Sequence, residues 1–145
     1  MSRLLGLDHG KRRIGVAIAD AETGMAFARV AIQRRNLDHD LALVGELCTT
    51  EGVGRIVIGL PLNMDGTEGP QAAEARAFGD RLAALGMDVV FEDERLSSWE
   101  ASQRLADAGR RPERGSGELD SAAARLILQQ YLDARRRTGP PEETE

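Results

Sequence analysis

Four acidic positions in this chain have the types and surroundings that could do chemistry: Asp8, Asp65, the Asp93-Glu94 pair and Asp120. Asp8 closes an apolar run beginning at Leu4 and is followed by Gly10 and three cations, Lys11, Arg12 and Arg13. A buried strand ending in a carboxylate, with a basic turn after it, is a costly arrangement for stability alone. It suits an anionic ligand or a metal ion. Clustered carboxylates raise one another's pKa unless a cation neutralises them. Oxygen-only ligands suit Mg²⁺ or Mn²⁺, and two such ions can activate water and stabilise the leaving oxygen in phosphodiester cleavage. Each acid also has a plain reading. Asp8 and Asp65-Gly66 are turn formers, Asp120 before Ser121 is a helix N-cap, and Glu94 with Arg95 is a surface pair worth little. A common address at one end of a sheet is what favours the functional reading.

The elements that would supply that address follow from hydrophobic period. Residues 4–8 are a short apolar run and 13–20 alternate Ile14, Val16 and Ile18 with small residues, so two strands joined at Gly10-Lys11 form a hairpin. A third strand over 25–34 alternates through Ala28, Val30 and Ile32. Asn36 or Asp38 then caps a helix with Leu41, Val44, Leu47 and Cys48 on one face, ending near Gly52. A buried strand over 55–60 stops at Pro61, and Pro70 starts a helix that ends at Gly86. Residues 87–92 are the fifth strand, Ser97 and Glu100 form a capping box for a helix to Gly109, and 119–137 are a long final helix. Three antiparallel strands followed by αβ crossovers predict an α/β, ribonuclease H-like, five-stranded mixed sheet flanked by helices. In such a sheet ligands gather at the carboxyl ends of parallel strands. That rim would hold the four acidic positions together with Lys11, Arg12, Arg13 and Arg95.

Composition bounds the possibilities. The chain has 145 residues, 41% hydrophobic and 30% charged, which is one domain's worth of soluble protein. We expect the domain to span 1–137 and the acidic end, 138–145, to be disordered. The net charge is −5, and the three glutamates of that end account for more than half of it. No apolar run is long enough for a bilayer or a signal peptide, and one cysteine with two histidines makes neither a disulfide nor a zinc finger. A cytoplasmic location is expected. Of 19 basic residues only Lys11 is lysine, which suits a position needing a compact ammonium. With 3% aromatic residues the chain offers few stacking platforms, favouring backbone and shape recognition over base reading.

The hairpin DHGKRRIGVA also has the strand-turn-strand form of phosphate-binding hairpins in sugar kinases and chaperone ATPases. Those proteins pair two such domains, and this chain has room for one. It contains neither a Walker A sequence nor GxGxxG.

Four segments together resemble the YqgF/RuvX family, known as Holliday junction resolvase-like or pre-16S rRNA nuclease proteins. They are LGLDHGKRRIGVAIAD (5–20), IVIGLPLNMDGTEGPQA (56–72), DERLSSWEA (93–101) and LDSAAARLILQQYLD (119–133). The resemblance covers nearly the whole chain short of its acidic end. It implies a RuvC-like ribonuclease H fold, a cytoplasmic protein, and a nuclease role in maturing the 5′ end of pre-16S rRNA. It also implies that Asp8, an acid of Asp93-Glu94-Arg95, and Asp120 form the acidic site. Ser97-Ser98 stands where the family often has threonines, and His9 falls at a variable place in the motif.

The combined expectation is a hydrolase acting on structured RNA, with Asp8, Glu94 and Asp120 as catalytic and metal-binding acids. Lys11, Arg12, Arg13 and Arg95 would hold phosphates and Asn63 would orient substrate or water. Branched DNA is the alternative substrate, and a non-catalytic RNA- or transcription-complex-binding module is the alternative class. Arg110, Arg111 and Arg114 are expected to contact phosphates from a lid-like loop. Glu94 is chosen over Asp65 and Asp93 on geometry. If strand four lies between strands one and five, strand five is roughly 10 Å from strand one, a span that suits the longer side chain. Period-two alternation sends Asp93 and Glu94 to opposite faces. Asp65 sits in a turn pointing to solvent.

Overall fold

A computed structural model describes residues 3–94 and 118–137. Their order is β1 (Arg3–His9), β2 (Arg13–Asp20), β3 (Met25–Gln33), α1 (Leu37–Glu51), β4 (Val53–Leu60), α2 (Pro70–Ala84), β5 (Val89–Asp93) and α3 (Glu118–Arg137). The helix expected after Ser97, the arginine loop and the acidic end lie outside the described residues.

The five strands form one sheet in the order β3-β2-β1-β4-β5. β1 pairs antiparallel with β2 and parallel with β4, and β4 pairs parallel with β5. The sheet is therefore mixed, with β1 at its centre.

Alternation divides the sheet into two faces. Leu5, Leu7, Ile14, Val16, Ile56 and Ile58 pack under α1 and α2, against Leu41, Val44, Ala75, Phe78 and Leu82. Leu4, Ala17, Ala19 and Val57 pack on the other face, under Ala124, Ile127, Leu128 and Leu132 of α3. The central strands are buried on both sides, which is why they read as near-continuous apolar runs. Asn36 caps α1 by accepting from the His39 N–H at 2.8 Å, and Gly52 ends it at φ 71°. No helix among the described residues is long and apolar enough to cross a membrane.

One element departs from expectation. Strict alternation puts Ala28, Val30 and Ile32 on one inward face of β3. Instead Ile32 is buried while Val30 is 90% exposed. Ile14 pairs with Ile32 but Val16 pairs with Arg29, so β3 carries an extra residue opposite Gly15 and its phase inverts. Bulges are common on edge strands, where they blunt pairing with other chains.

Candidate active site

Asp8 is the last-but-one residue of the central strand and shares the α3 face with Leu4. It is half-buried, at the carboxyl end of parallel β1. Burial is the main cause that pushes its pKa up to about 6. A hydrogen bond with Glu94 opposes the shift and the charge of Asp120 adds to it.

Glu94 reaches the same point from two strands away. On β5, Val90 packs toward α3 and Phe91 toward α2, so period two directs Glu92 and Glu94 to the α3 face. Glu92 accordingly accepts from Gln130 of α3 at 2.7 Å. Asp93 falls on the other phase, and its carbonyl accepts from the same amide at 3.0 Å. The Glu94 N–H donates to the Leu60 carbonyl at 3.0 Å, extending the β4–β5 ladder past the strand end. The Glu94 side chain is buried over Gly59, where any Cβ would overlap its Oε1. Burial, then the Asp8 charge, their shared hydrogen bond and Asp93 push its pKa up to about 9. The hydrogen bond between the two carboxyls needs a proton, and burial together with their like charge favours keeping one there. Its Oε1 is buried with no hydrogen-bond partner among the described residues. The surface-pair reading of Glu94 does not hold, because this carboxyl is 7% exposed.

Asp120 comes to the site on the first turn of α3 and not as its N-cap. Its Oδ2 accepts from Arg13 Nε at 3.0 Å. The adjacent Ser121 Oγ accepts from the Val16 N–H of β2 at 3.2 Å, which ties the helix start to the sheet. This approach is possible only over a glycine, since a Cβ on Gly15 would overlap the Asp120 carbonyl. Gly15, Gly59 and Ser121 are not among the site residues expected from the sequence. A glycine inside a strand marks a close approach of another group, and that signal was available for both glycines.

The structure therefore brings Asp8, Glu94 and Asp120 to one rim. Lys11 and Arg12 are exposed on the turn beside them, whereas Arg13 is engaged by Asp120. Asn63 is exposed and its amide donates to Thr67 Oγ1 at 2.9 Å, inside its own loop. Asp65 accepts from the Thr67 N–H and hydroxyl at 3.0 and 2.7 Å, as a turn aspartate does. Arg95 lies outside the described residues. His9 points to the opposite face, buried with its ring centroid 4.8 Å from that of Phe78, where burial lowers its pKa.

A divalent cation fits the chemistry of these donors. The proton shared by Asp8 and Glu94 relieves repulsion that a cation would relieve instead, and Glu94 Oε1 is an unused buried oxygen beside it. Among the described residues, no group of three His, Cys, Asp or Glu side chains is gathered round one point.

Comparison with known proteins bears on the family and the fold. The family model described as RuvX, Holliday junction resolvase, matches residues 2–134. A protein of Anaeromyxobacter dehalogenans named "Putative pre-16S rRNA nuclease" is 49% identical over 134 residues, covering 92% of this chain and 98% of its own. One of the same name from Chloroflexus aggregans is 46% identical, covering 92% and 94%. Among solved structures, Thermus thermophilus RuvC with a Holliday junction substrate superposes with a TM-score of 0.57 at 13% identity, covering 95% of this chain and 98% of that one. The large terminase nuclease of phage G20c gives 0.55 at 15% identity, covering 90% and 81%. These two likenesses concern the fold, which is RuvC-like, while the sequence matches settle the lineage: the chain belongs to the RuvX family.

Proposed function

We propose that this protein is a metal-dependent nuclease that processes the 5′ end of pre-16S rRNA, acting in the cytoplasm during ribosome biogenesis. The names of relatives that match along nearly their whole length support the substrate. The observation that carries the chemistry is the proton-sharing Asp8–Glu94 pair with its orphaned oxygen, in a fold shared with RuvC.

In this reading Asp8, Glu94 and Asp120 hold Mg²⁺ or Mn²⁺ through oxygen ligands alone. When bound, the ion supplies activation of water and charge stabilisation at the phosphodiester. The chain's own residues do the rest. Glu94, once ionised, would be a second negative ligand beside Asp8. Gly59 keeps space for that carboxylate, and Ser121 with Gly15 fixes where Asp120 stands. Lys11 and Arg12 contact phosphates from the turn, Arg95 does so from the segment after β5, and Arg13 exchanges Asp120 for a phosphate as substrate enters. Asn63 orients substrate or water from the rim of the β4–α2 loop. The family description favours branched DNA as the second substrate to test.

The experiment incubates the full chain with 5′-extended precursor RNA and, separately, with a four-way DNA junction, with Mg²⁺, Mn²⁺ or EDTA. RNA cleavage that needs the metal and disappears in Asp8→Asn is the expected result. Cleavage of the junction alone would make the protein a resolvase. Binding without cleavage of either would make it a binding module.

A further inference from the structure

We propose that Asp40 and Arg34 are positioning residues which lock the β1–β2 turn to the β3–α1 corner, and that Arg35 completes a preformed three-cation phosphate-binding platform with Lys11 and Arg12. The inference rests on the nucleic-acid reading of the site. Asp40 is a carboxylate on α1, 1% exposed, far from the acids described above in sequence and on the opposite face of the sheet. Its Oδ2 accepts from Arg34 Nε at 3.4 Å, while its Oδ1 accepts from the Arg35 N–H at 3.1 Å and from His39 Nδ1 at 3.0 Å. Burial works against its charge, but these hydrogen bonds outweigh it and hold its pKa below the ordinary carboxyl range. These contacts favour the charged form of Asp40.

Arg34 carries that anchor to the turn. Its Nη1 donates to the Gly10 carbonyl at 2.7 Å and to the Lys11 carbonyl at 3.3 Å. Its backbone N–H donates to the Arg12 carbonyl at 2.9 Å, and the Gly10 N–H closes the turn onto Arg13 at 2.9 Å. Every carbonyl from Gly10 to Arg13 is therefore held, three of them by Arg34. A surface turn with no ligand to meet has little need of such restraint.

The charges are distributed to match. The Arg34 charge is spent on Asp40. Lys11, Arg12 and Arg35 are exposed, and no ion pair is found for them among the described residues. The Arg12–Arg34 backbone bond brings the Arg35 main chain next to the turn, and the Arg35 side chain lines the groove between β3 and α1 with His39 and Glu46, so the three cations follow one another from the turn to the start of α1. That stretch begins at Lys11, three residues past Asp8. A backbone lying across it would extend the footprint from the acids toward α1. Prior ordering of the main chain means that little entropy is lost when phosphates arrive.

The test is the salt dependence of binding to a hairpin RNA, read by fluorescence anisotropy in EDTA so that cleavage plays no part. Each phosphate contact contributes roughly 0.9 to the slope of log K against log salt on a duplex. Arg35→Gln is expected to lower the slope by about one contact. The double variant Arg34→Gln/Asp40→Asn leaves net charge unchanged, and is expected to lower the slope by about two contacts because the turn loosens. Arg81→Gln on exposed α2 removes the same charge as Arg35→Gln and is expected to leave the slope unaltered. Arg35 is exposed, so its variant folds and decides the platform even if the double variant does not. A slope for Arg35→Gln equal to that of wild type overturns the inference while the nuclease reading stands. No RNA binding by the wild-type chain overturns both.

Discussion

Glu94 crosses the full width of β4 to share a proton with Asp8, the two carboxyls coming from the ends of β5 and β1. At about 4.8 Å per strand step the backbones stand roughly 10 Å apart. The extra methylene of a glutamate, and the missing side chain at Gly59, are what let the contact form.

That proton makes the metal-free protein sensitive to pH in an unusual direction. Both pKa values are raised, Asp8 to about 6 and Glu94 to about 9, so the folded chain keeps protons that the unfolded chain has already lost. Stability contributed by the pair is complete below the ordinary carboxyl range and is lost as pH rises toward Glu94's value. In EDTA, Tm is expected to fall between about pH 5 and about pH 9. Glu94→Gln keeps a donor for Asp8 but cannot ionise, so its Tm at the alkaline end should exceed that of wild type. A wild-type Tm that climbs steadily over that range would contradict the proton assignment.

On the proposed reading, an ion held by Asp8 and Glu94 would take the place of that proton. At neutral pH, Mn²⁺ binding is expected to release about one proton per site, and affinity to rise by up to about tenfold per pH unit below Glu94's pKa. Calorimetry in two buffers of different ionisation enthalpy measures this directly. Glu94→Gln should bind weakly with little release, whereas Asp65→Asn should match wild type, because Asp65 serves its own turn. Normal binding in Glu94→Gln with loss in Asp65→Asn would exchange their roles.

Docking of α3 sets where Asp120 stands. Gly15→Ala must push the Asp120 carbonyl away from β2 and is expected to cost ~1–3 kcal/mol in urea unfolding, with loss of cleavage. Ser121→Ala strands the buried Val16 N–H and should cost ~1–3 kcal/mol. Gly45→Ala, inside α1, meets only the flexible Met87 Cε at 3.3 Å. Helix propensity there favours alanine by roughly 0.5–1 kcal/mol, so that variant should be neutral or more stable. Equal losses at Gly15 and Gly45 would remove the special place given to the α3 contact.

Much of this was legible in the chain itself. The apolar runs at β1, β4 and β5 and the hairpin at Gly10 give the parallel centre and antiparallel edge, and period two separates Glu94 from Asp93 without coordinates. What was hidden depends on contacts between distant segments. Val30 and Ala31 are both apolar, so nothing local announces the extra residue that inverts β3. Arg13 reads as a free cation until α3 brings Asp120 to it from 107 residues away. Asp40 is one of two acids in the first turn of α1, and only the strand-to-helix corner shows it holding Arg34.

The central claim, that Asp8, Glu94 and Asp120 hold the catalytic cation, is tested most directly by anomalous diffraction from crystals of the full chain soaked in Mn²⁺ near pH 8. The expected result is a peak within bonding distance of the Asp8 carboxylate, with Glu94 turned from its hydrogen bond with Asp8 to the ion and Asp120 released from Arg13. Contradiction would be an unbroken Asp8–Glu94 hydrogen bond with the manganese elsewhere, at Asp65 for instance, in crystals whose protein cleaves RNA.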